Sequence, residues 1–441
     1  MNSRFDFIIV GGGIAGLFCG SEITRRNPKH KVLLLDAEQR LGGRVSTVTN
    51  EYGDLIELGP MRILDNHSYT LELCNQLDIP LVNDLSDFDR SPVYFSANAS
   101  SSSLNKQDCV SLYEFIYKRL CSFFGFPFFD YQFIPTINEL ILKELSNAGL
   151  TLKSCSFSTF VNLFFSSEQQ DILWTLFPYD HIKTQPVSLF QCLGAIDKTT
   201  THTSYKPLNG FTSITSALSN LYHLNGGFSL VNCQVNHIER DKKLINISTN
   251  HGDVFSACQV IFAIPPSCVL EITGVLSFLT PDVLTSLRSI GYYSSQKTYF
   301  TFNHEEELLS LRNYHGFFRT DDPIRIGHWN PCSSSATHHT VLAAYNSCSS
   351  LNVDYLTCLN DKLPFNLSSP ASVCSFHWKD SFAQLSAHFW MTGSDPEKTC
   401  NKLRSLNNGI YFVGEAYCTD HGWINSALVS SQQLLDQLFP A

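Results

Sequence analysis

The chain has 441 residues, of which 43% are apolar, and 30 Lys and Arg against 40 Asp and Glu give a net charge of −10. This length predicts two or three domains with a sizeable core. The acidic balance argues against binding to nucleic acid or to an anionic membrane surface. No run of about 18 apolar residues occurs, so the sequence predicts no transmembrane helix.

Fifteen cysteines are scattered along the chain, and no two of them form a C-x-x-C pair. The N-terminus lacks a cleavage-like segment, so we do not expect a signal peptide. These features predict reduced thiols and a cytoplasmic protein. We predict no metal site, because no Cys/His cluster has finger-like spacing.

The most informative motif lies at the N-terminus. Residues 5–10 are typical of a short buried strand, and a G-x-G-x-x-G turn and an apolar helix pattern from Leu17 follow. This order predicts a dinucleotide site, the alternative being a turn that binds nothing. Gly11 permits the tight turn, Gly13 lets the backbone approach a diphosphate, and Gly16 allows close helix–strand packing. The N-terminus of the helix favours the phosphates.

A second strand is predicted over residues 31–36 and ends in Asp36. This acid has the spacing from the glycine turn that is expected of a ribose ligand. The next loop, residues 41–44, combines two glycines with Arg44. A backbone that a ligand can approach and one bidentate cation suit a diphosphate. The alternative for this loop is a surface turn with a solvated arginine.

The middle of the chain is helical and aromatic. Residues 96–103 are rich in serine and predict a flexible loop. A helical pattern follows from about 110 to 200, with its densest aromatic patch at residues 123–129. We interpret that patch as core or interface rather than as a cofactor site. A turn at residues 208–212 begins another helix.

Strand patterns dominate the second half. Residues 229–235, 244–248 and 254–262 predict a hairpin that leads into a buried strand. A second sheet is predicted over about 292–347, and a last strand over 409–413 precedes the final helix. Strands of nucleotide-binding type therefore occur at both ends and in the middle. This arrangement predicts an α/β protein with a discontinuous Rossmann-like domain and a second domain threaded between its segments.

Six segments resemble the flavin amine oxidase family, which includes monoamine, polyamine and L-amino-acid oxidases. The resemblance covers nearly the whole chain. One departure is Asp36, where the family usually has Glu, although Asp can make the same ribose contact. The segments are the N-terminal glycine motif, Asp36-Ala37 leading to Arg40–Arg44, Glu57–Pro60, Ala263–Pro266, Lys297 and Tyr411–Ala416.

The resemblance implies FAD as the cofactor. Ala387 falls where monoamine oxidases carry the cysteine that binds the flavin, so we expect non-covalent FAD. The implied fold is α/β with two domains, the second containing a mixed sheet and a helical part at about 105–200. We expect the FAD-binding domain to comprise residues 1–60, 206–290 and 400–441, and the substrate-binding domain residues 61–205 and 291–399.

The resemblance also implies the contacts to FAD. Asp36 would hold the adenosine ribose, Val235 would bind the adenine through its backbone, and Arg44 and Glu415 would lie near the diphosphate and ribityl chain. Met61 would lie close to the isoalloxazine ring. The full expected set is Gly11, Gly13, Gly16, Asp36, Ala37, Arg44, Gly59, Pro60, Met61, Arg62, Val235, Gly414, Glu415 and Trp423.

Two features resemble the L-amino-acid oxidase branch. In that branch, the arginine that corresponds to Arg62 clamps the substrate carboxylate through two parallel N–H bonds. An amine without a carboxylate would leave this group unpaired. The alternative is that Arg62 pairs with an acid of the protein. The second feature is Gly422-Trp423, where monoamine oxidases tend to have Gly-Tyr, and Trp423 would form one wall of the amine pocket.

Two further residues are catalytic candidates by resemblance. By its offset from Trp378, His388 would form the other wall of the pocket, and the alternative is a hydrogen-bonded core histidine. Lys297 resembles the lysine that holds a water at the flavin N5. A buried lysine is costly without a partner. The alternative is an edge-strand lysine that faces solvent.

The implied reaction is oxidation of an L-α-amino acid by hydride transfer to flavin N5, giving a 2-oxo acid, ammonia and hydrogen peroxide. Much of the acceleration would come from orientation, because the redox chemistry belongs to the flavin. The alternatives are an amine or polyamine oxidase, an amino-acid 2-monooxygenase and a flavoprotein without turnover. Dioxygen is the expected second substrate, and a homodimer is expected by analogy alone.

Overall fold

A computed structural model describes most of the chain, and every structural statement below concerns the described residues. The predicted serine-rich loop, residues 96–103, lies outside them. No helix among them is long and apolar enough to cross a membrane. The described residues are 3–84, 91, 93–94, 111–177, 179–199, 203–302, 316–321, 324–331, 340–346, 354–362, 366–406 and 408–440.

Strands occur from the N-terminus to residue 412. They are β1 Ser3–Val10, β2 Val32–Leu35, β3 Thr47–Thr49, β4 Leu55–Glu57, β5 Ile63–Leu64, β6 Leu81–Asp84, β7 Val93–Tyr94, β8 Ser204–Pro207, β9 Phe228–Leu230, β10 Val235–Asp241, β11 Leu244–Thr249, β12 Val254–Phe262, β13 Ile290–Tyr293, β14 Gln296–Phe302, β15 Gly316–Thr320, β16 Ile326–Pro331, β17 Thr340–Asn346, β18 Ser372–His377, β19 Ala387–Trp390 and β20 Ile410–Phe412.

The α-helices fall into three groups along the chain. They are Ile14–Arg26 and Ser68–Gln76; then Leu112–Phe123, Ile134–Asn147, Phe157–Phe164, Ser167–Leu176, Asp180–Thr184 and Leu189–Thr199; and finally Thr212–Leu224, Pro266–Glu271, Pro281–Arg288, Tyr355–Lys362, Pro396–Arg404 and Ile424–Leu438.

A seven-stranded sheet contains the N-terminal motif. Its parallel part has the order β20-β12-β1-β2-β9, and β10 and β11 extend it as an antiparallel hairpin. The apolar runs of β1 and β2 form central strands because both faces of the sheet are covered. The helix Ile14–Arg26 packs on one face together with the helices Thr212–Leu224 and Ile424–Leu438. The predicted Rossmann-like arrangement is therefore confirmed.

The predicted strand over residues 229–235 is wrong in its middle. The chain leaves the sheet after β9, and Asn232 has a φ of 52°. Its N–H donates to Glu38 O at 2.8 Å, and the N–H of Cys233 donates to Asp36 O at 2.7 Å. These bonds replace a strand ladder, so two strands, β9 and β10, form where one was expected.

A second sheet has the order β18-β14-β17-β16-β15-β7. It is antiparallel except for the pairing of β7 with β15, which makes it mixed, as predicted. β14 lies between β17 and β18, so the side chain of Lys297 at its second position is not at a sheet edge. A smaller antiparallel pair, β13 and β19, places Tyr293 opposite Ala387.

The helices between residues 112 and 199 form their own core, in which Phe157 and Phe160 are fully buried. The α/β class with a helical part is therefore confirmed. The aromatic patch at 123–129, interpreted above as core or interface, is not entirely core. Phe123, the last residue of the helix Leu112–Phe123, is 52% exposed, and Phe128 in the segment after it is 60% exposed.

The two large sheets draw their strands from different parts of the chain. The seven-stranded sheet uses residues 3–35, 228–262 and 410–412, and the six-stranded sheet uses residues 93–94 and 296–377. These segments fall on the two sides of the predicted domain boundaries. The exact boundaries stay a prediction.

Candidate active site

A cavity of about 750 Å³ begins at the carboxyl ends of β1 and β2 and reaches the six-stranded sheet. In α/β folds, ligands bind in the crevice at these strand ends. The cavity brings together most of the predicted site residues: Gly11, Gly13, Asp36, Ala37, Arg44, Gly59, Pro60, Val235, Lys297, Gly414, Glu415 and Trp423. Four others lie outside its described lining: Gly16, Met61, Arg62 and His388.

The glycine turn has the geometry of a diphosphate cradle. Gly11 has a φ of 106°, and a Cβ there would lie 2.6 Å from Ala263 O. A Cβ on Gly16 would lie 2.0 Å from Gly11 O, so this glycine is needed for packing. A Cβ on Gly13 would meet only Gly43 Cα, at 3.9 Å. Gly13 therefore leaves room at the cavity wall for a ligand to approach the backbone.

The N-terminus of the helix Ile14–Arg26 opens at the same wall. Gly13 is its N-cap, and no side chain in the described part of the structure caps it. The first N–H groups of a helix carry a partial positive charge and favour anions. Together with the cradle, this arrangement fits the diphosphate of a dinucleotide.

Asp36 follows β2 and is buried at the cavity. Its carboxylate accepts the N–H of Gly12 at 2.6 Å and the N–H of Glu38 at 2.7 Å. Burial raises the pKa of Asp36, and these two donors act in the opposite direction. The two bonds hold the carboxylate at the cavity, in a position where it could accept a hydrogen bond from a ribose hydroxyl.

The partly exposed Arg44 and the buried Glu415 form an ion pair at the cavity wall. Nη1 of Arg44 donates to Oε1 of Glu415 at 2.5 Å and to Ser386 O at 3.1 Å. Arg44 is therefore paired with an acid of the protein rather than only solvated. Burial alone would raise the pKa of Glu415, but its contacts with His388 and Arg44 hold the pKa well below its usual range.

His388 requires a correction. It was expected as a wall of the pocket, but within the described lining that position belongs to its neighbour Ala387. Successive side chains of a strand point to opposite faces, so His388 points away from the cavity. It is 2% exposed, and its Nδ1 lies 2.5 Å from Oε1 of Glu415. The alternative of a hydrogen-bonded core histidine matches the structure.

Lys297 is buried in β14 and is 1% exposed, so the alternative of a solvent-facing lysine is wrong. Its Nζ donates to Glu57 O at 3.0 Å and also to Gly59 O. Burial lowers the pKa of Lys297 to about 7, although the nearby Glu57 acts in the opposite direction. The lysine thus lines the cavity and also holds the segment that leads to Arg62.

Arg62 lies next to the cavity rather than in its described lining. Its Cζ is 5.9 Å from the ring centroid of Trp423, which lines the cavity, and 5.7 Å from that of Phe317. These distances suit cation–π contacts with both rings. His67 packs on Trp423 with 4.7 Å between ring centroids. The predicted pair of Arg62 and Trp423 is therefore in contact.

The cavity residues without a predicted role include Tyr293 and Trp378. Tyr293 lines the cavity and stacks on His181 with 3.6 Å between ring centroids. Trp378 lines it as well, and its Nε1 donates to Leu58 O at 2.9 Å. Tyr293 could be assigned to the cavity only from its cross-strand pairing with Ala387. That pairing requires the register of β13 and β19, which the sequence does not show directly.

Comparisons with known proteins agree with this geometry. The family model described as flavin-containing amine oxidoreductase matches residues 14–433. A 92-residue segment is 36% identical to the L-amino acid oxidase of Cerastes cerastes and covers 21% of this chain and 17% of that protein. A 75-residue segment is 35% identical to flavin-containing amine oxidase A of Bos taurus and covers 17% of this chain and 14% of that protein.

A solved structure of putrescine oxidase, wild type bound to putrescine, shares the fold. The TM-score is 0.74 at 14% sequence identity, and the alignment covers 99% of both chains. At this identity the likeness concerns the fold alone. Because the family model spans nearly the whole sequence, this chain belongs to the family of flavin-containing amine oxidoreductases, and its cofactor is FAD.

Proposed function

We propose that this protein catalyses the FAD-dependent oxidative deamination of an L-α-amino acid. The amino acid, dioxygen and water would give a 2-oxo acid, ammonia and hydrogen peroxide. The observation that carries the proposal is the contact of Arg62 with Trp423 at the cavity wall. A guanidinium in contact with two aromatic rings beside the site is suited to a substrate carboxylate.

In this proposal the chain's own residues hold FAD in an extended form. The glycine turn and the helix N-terminus would bind the diphosphate, and Asp36 would bind the ribose. The backbone at Val235 would contact the adenine. Arg44 and Glu415 would contact the ribityl region. The position next to the ring is Ala387, which offers no nucleophile, so the cofactor would be non-covalent.

Substrate binding would depend on two neighbouring groups. Arg62 would fix the carboxylate with a bidentate contact, and Trp423 would form a wall beside the α-amino group. FAD, when bound, supplies the hydride acceptor and passes the electrons to dioxygen. The residues around it would contribute mainly orientation. The amino group must be neutral to react, so its proton would leave before or during binding.

Lys297 would act on the same side of the cavity. Its Nζ is held by the carbonyls of Glu57 and Gly59, and a pKa of about 7 lets this group gain or lose a proton near neutral pH. We propose that it positions a water at the flavin N5 and assists the reoxidation step. The anchored segment 57–60 would at the same time keep Arg62 in place.

A second candidate is an amine oxidase without a carboxylate requirement. The observation that favours it is the similarity of a 75-residue segment to the bovine amine oxidase. Amino-acid 2-monooxygenation would use the same carboxylate contact and differ in the fate of the product. Matched substrate pairs that differ only in the carboxylate separate the first two candidates, and analysis for 2-oxo acid against amide separates the third.

Two further expectations remain proposals. The described cysteines are free thiols, many of them buried, which supports a reducing, cytoplasmic location. A homodimer rests on analogy with the family. Size-exclusion chromatography with light scattering would decide the oligomeric state.

A further inference from the structure

The Glu415 carboxylate accepts hydrogen bonds from three residues at the FAD site. Its Oε1 accepts from Arg44 Nη1 and from His388 Nδ1, each at 2.5 Å. Its Oε2 accepts the N–H of Gly422 at 3.0 Å, and Gly422 precedes Trp423. Arg44 in turn donates to Ser386 O, the residue before Ala387. One carboxylate therefore connects the residues that line the cavity on several sides.

His388 stands behind this carboxylate. Its Nε2 is buried and has no hydrogen-bond partner among the described residues. Burial of an unsatisfied polar nitrogen is unfavourable, so the bond from Nδ1 must account for the presence of a histidine at this place. Burial lowers the pKa of His388, although Glu415 acts in the opposite direction. We therefore assign a neutral ring that carries its proton on Nδ1 and donates to an ionised Glu415.

The described neighbours of His388 give it few other polar contacts. The centroid of the His421 ring lies 6.3 Å from that of His388, and His421 stacks on Trp390 and is hydrogen-bonded through Nε2 to Ala416 O. Across the strand pair, His388 is opposite Tyr292. Within the described contacts, the bond to Glu415 is thus the polar contact through which His388 can influence the cavity.

We propose that His388 is a positioning residue that orients the Glu415 carboxylate for FAD and, through Gly422, fixes the backbone before Trp423. The inference rests on the FAD cofactor and not on the proposed substrate. With His388 in place, one oxygen of Glu415 is held by two donors and the other oxygen is directed to the Gly422 N–H. Without it, Arg44 alone holds Oε1, so the carboxylate is less constrained about its side-chain bonds and the contact of Oε2 with the Gly422 N–H is weakened.

The test is FAD affinity, measured by titrating FAD into apoprotein and following flavin fluorescence. We expect His388→Leu to weaken binding about tenfold or more, as for loss of a hydrogen bond to a charged group. His388→Asn keeps an N–H donor near the position of Nδ1 and should stay within about threefold of the natural protein. Tyr222→Phe removes a buried hydrogen bond to Val32 O and Phe228 O, away from the cavity, and should leave FAD affinity unchanged.

A double-mutant cycle with Glu415→Gln decides whether His388 acts through Glu415. Coupled residues give non-additive effects, so replacing His388 should add little in the Glu415→Gln background. Unchanged FAD affinity in His388→Leu, or effects that simply add, would overturn the proposal. If His388→Leu does not fold, His388→Gln takes its place in the cycle: it should weaken FAD binding more than His388→Asn does, and equal affinity of the two would overturn the proposal.

Discussion

Replacing Lys297 with Met should change how the stability of the protein depends on pH. Lys297 is 1% exposed, and burial lowers its pKa from 10.5 to about 7. Between pH 7 and 10.5 the unfolded chain therefore binds a proton that the folded chain does not bind. The free energy of unfolding rises with pH wherever the unfolded state binds more protons.

The size of the effect follows from the shift. One pKa unit corresponds to about 1.4 kcal/mol, so this lysine contributes a slope of up to about 1.4 kcal/mol per pH unit and about 5 kcal/mol in total. Below pH 7 both states are protonated, and the unfavourable burial of the charge is fully present. Met removes the titrating group and leaves the carbonyls of Glu57 and Gly59 without this donor, a loss of about 1–3 kcal/mol each that does not depend on pH.

The assay is urea unfolding of the FAD-loaded protein at pH 6, 7, 8 and 9 for both variants. The free energy of unfolding of the natural protein relative to Lys297→Met should be constant up to about pH 7 and then rise. Lys243→Met is the control variant, because Lys243 is exposed and its replacement removes the same charge without changing a buried site. Parallel pH profiles for the natural protein and Lys297→Met would refute the argument that the lysine is desolvated.

Three further predictions concern the FAD site. Gly16→Ala should destabilise the fold, because its Cβ would lie 2.0 Å from Gly11 O, and thermal unfolding should show a large loss. Gly13→Ala meets no protein atom closer than 3.9 Å, so it should keep the unfolding temperature while weakening FAD binding. Equal stability losses in the two variants would contradict the cradle. With Ala387 at the ring, acid precipitation should release all flavin into the supernatant, and flavin that stays in the pellet would contradict non-covalent binding.

The sequence predicts the structure correctly where a pattern within a few residues determines it. The N-terminal strand and glycine turn could be predicted because apolar runs and glycine spacing act within a few residues. The chain between Ser229 and Val235 could not, because the N–H groups of Asn232 and Cys233 bond to a loop about two hundred residues away in sequence. Tertiary hydrogen bonds replaced the expected ladder there.

The site residues show the same difference. Three predicted residues, Arg44, Lys297 and Trp423, line the cavity. His388 does not, because a shift of one residue along a strand turns a side chain to the opposite face. A sequence offset counted from Trp378 cannot establish which face of the strand the His388 side chain occupies. The burial of Lys297 likewise depends on β17 and β18, which pair with its strand from distant parts of the chain.

The measurement that tests the proposed function most directly is anaerobic reduction of the bound flavin by matched substrate pairs. L-Ornithine and putrescine form one pair, and L-phenylalanine and phenylethylamine form another, and the members of each pair differ only in the carboxylate. We predict bleaching by an amino acid and not by its amine. We also expect Arg62→Ala to slow that bleaching by about a hundredfold, as for loss of a strong charged contact. Bleaching by the amines alone, at the same rate in Arg62→Ala, would contradict the role of Arg62 and favour an amine oxidase.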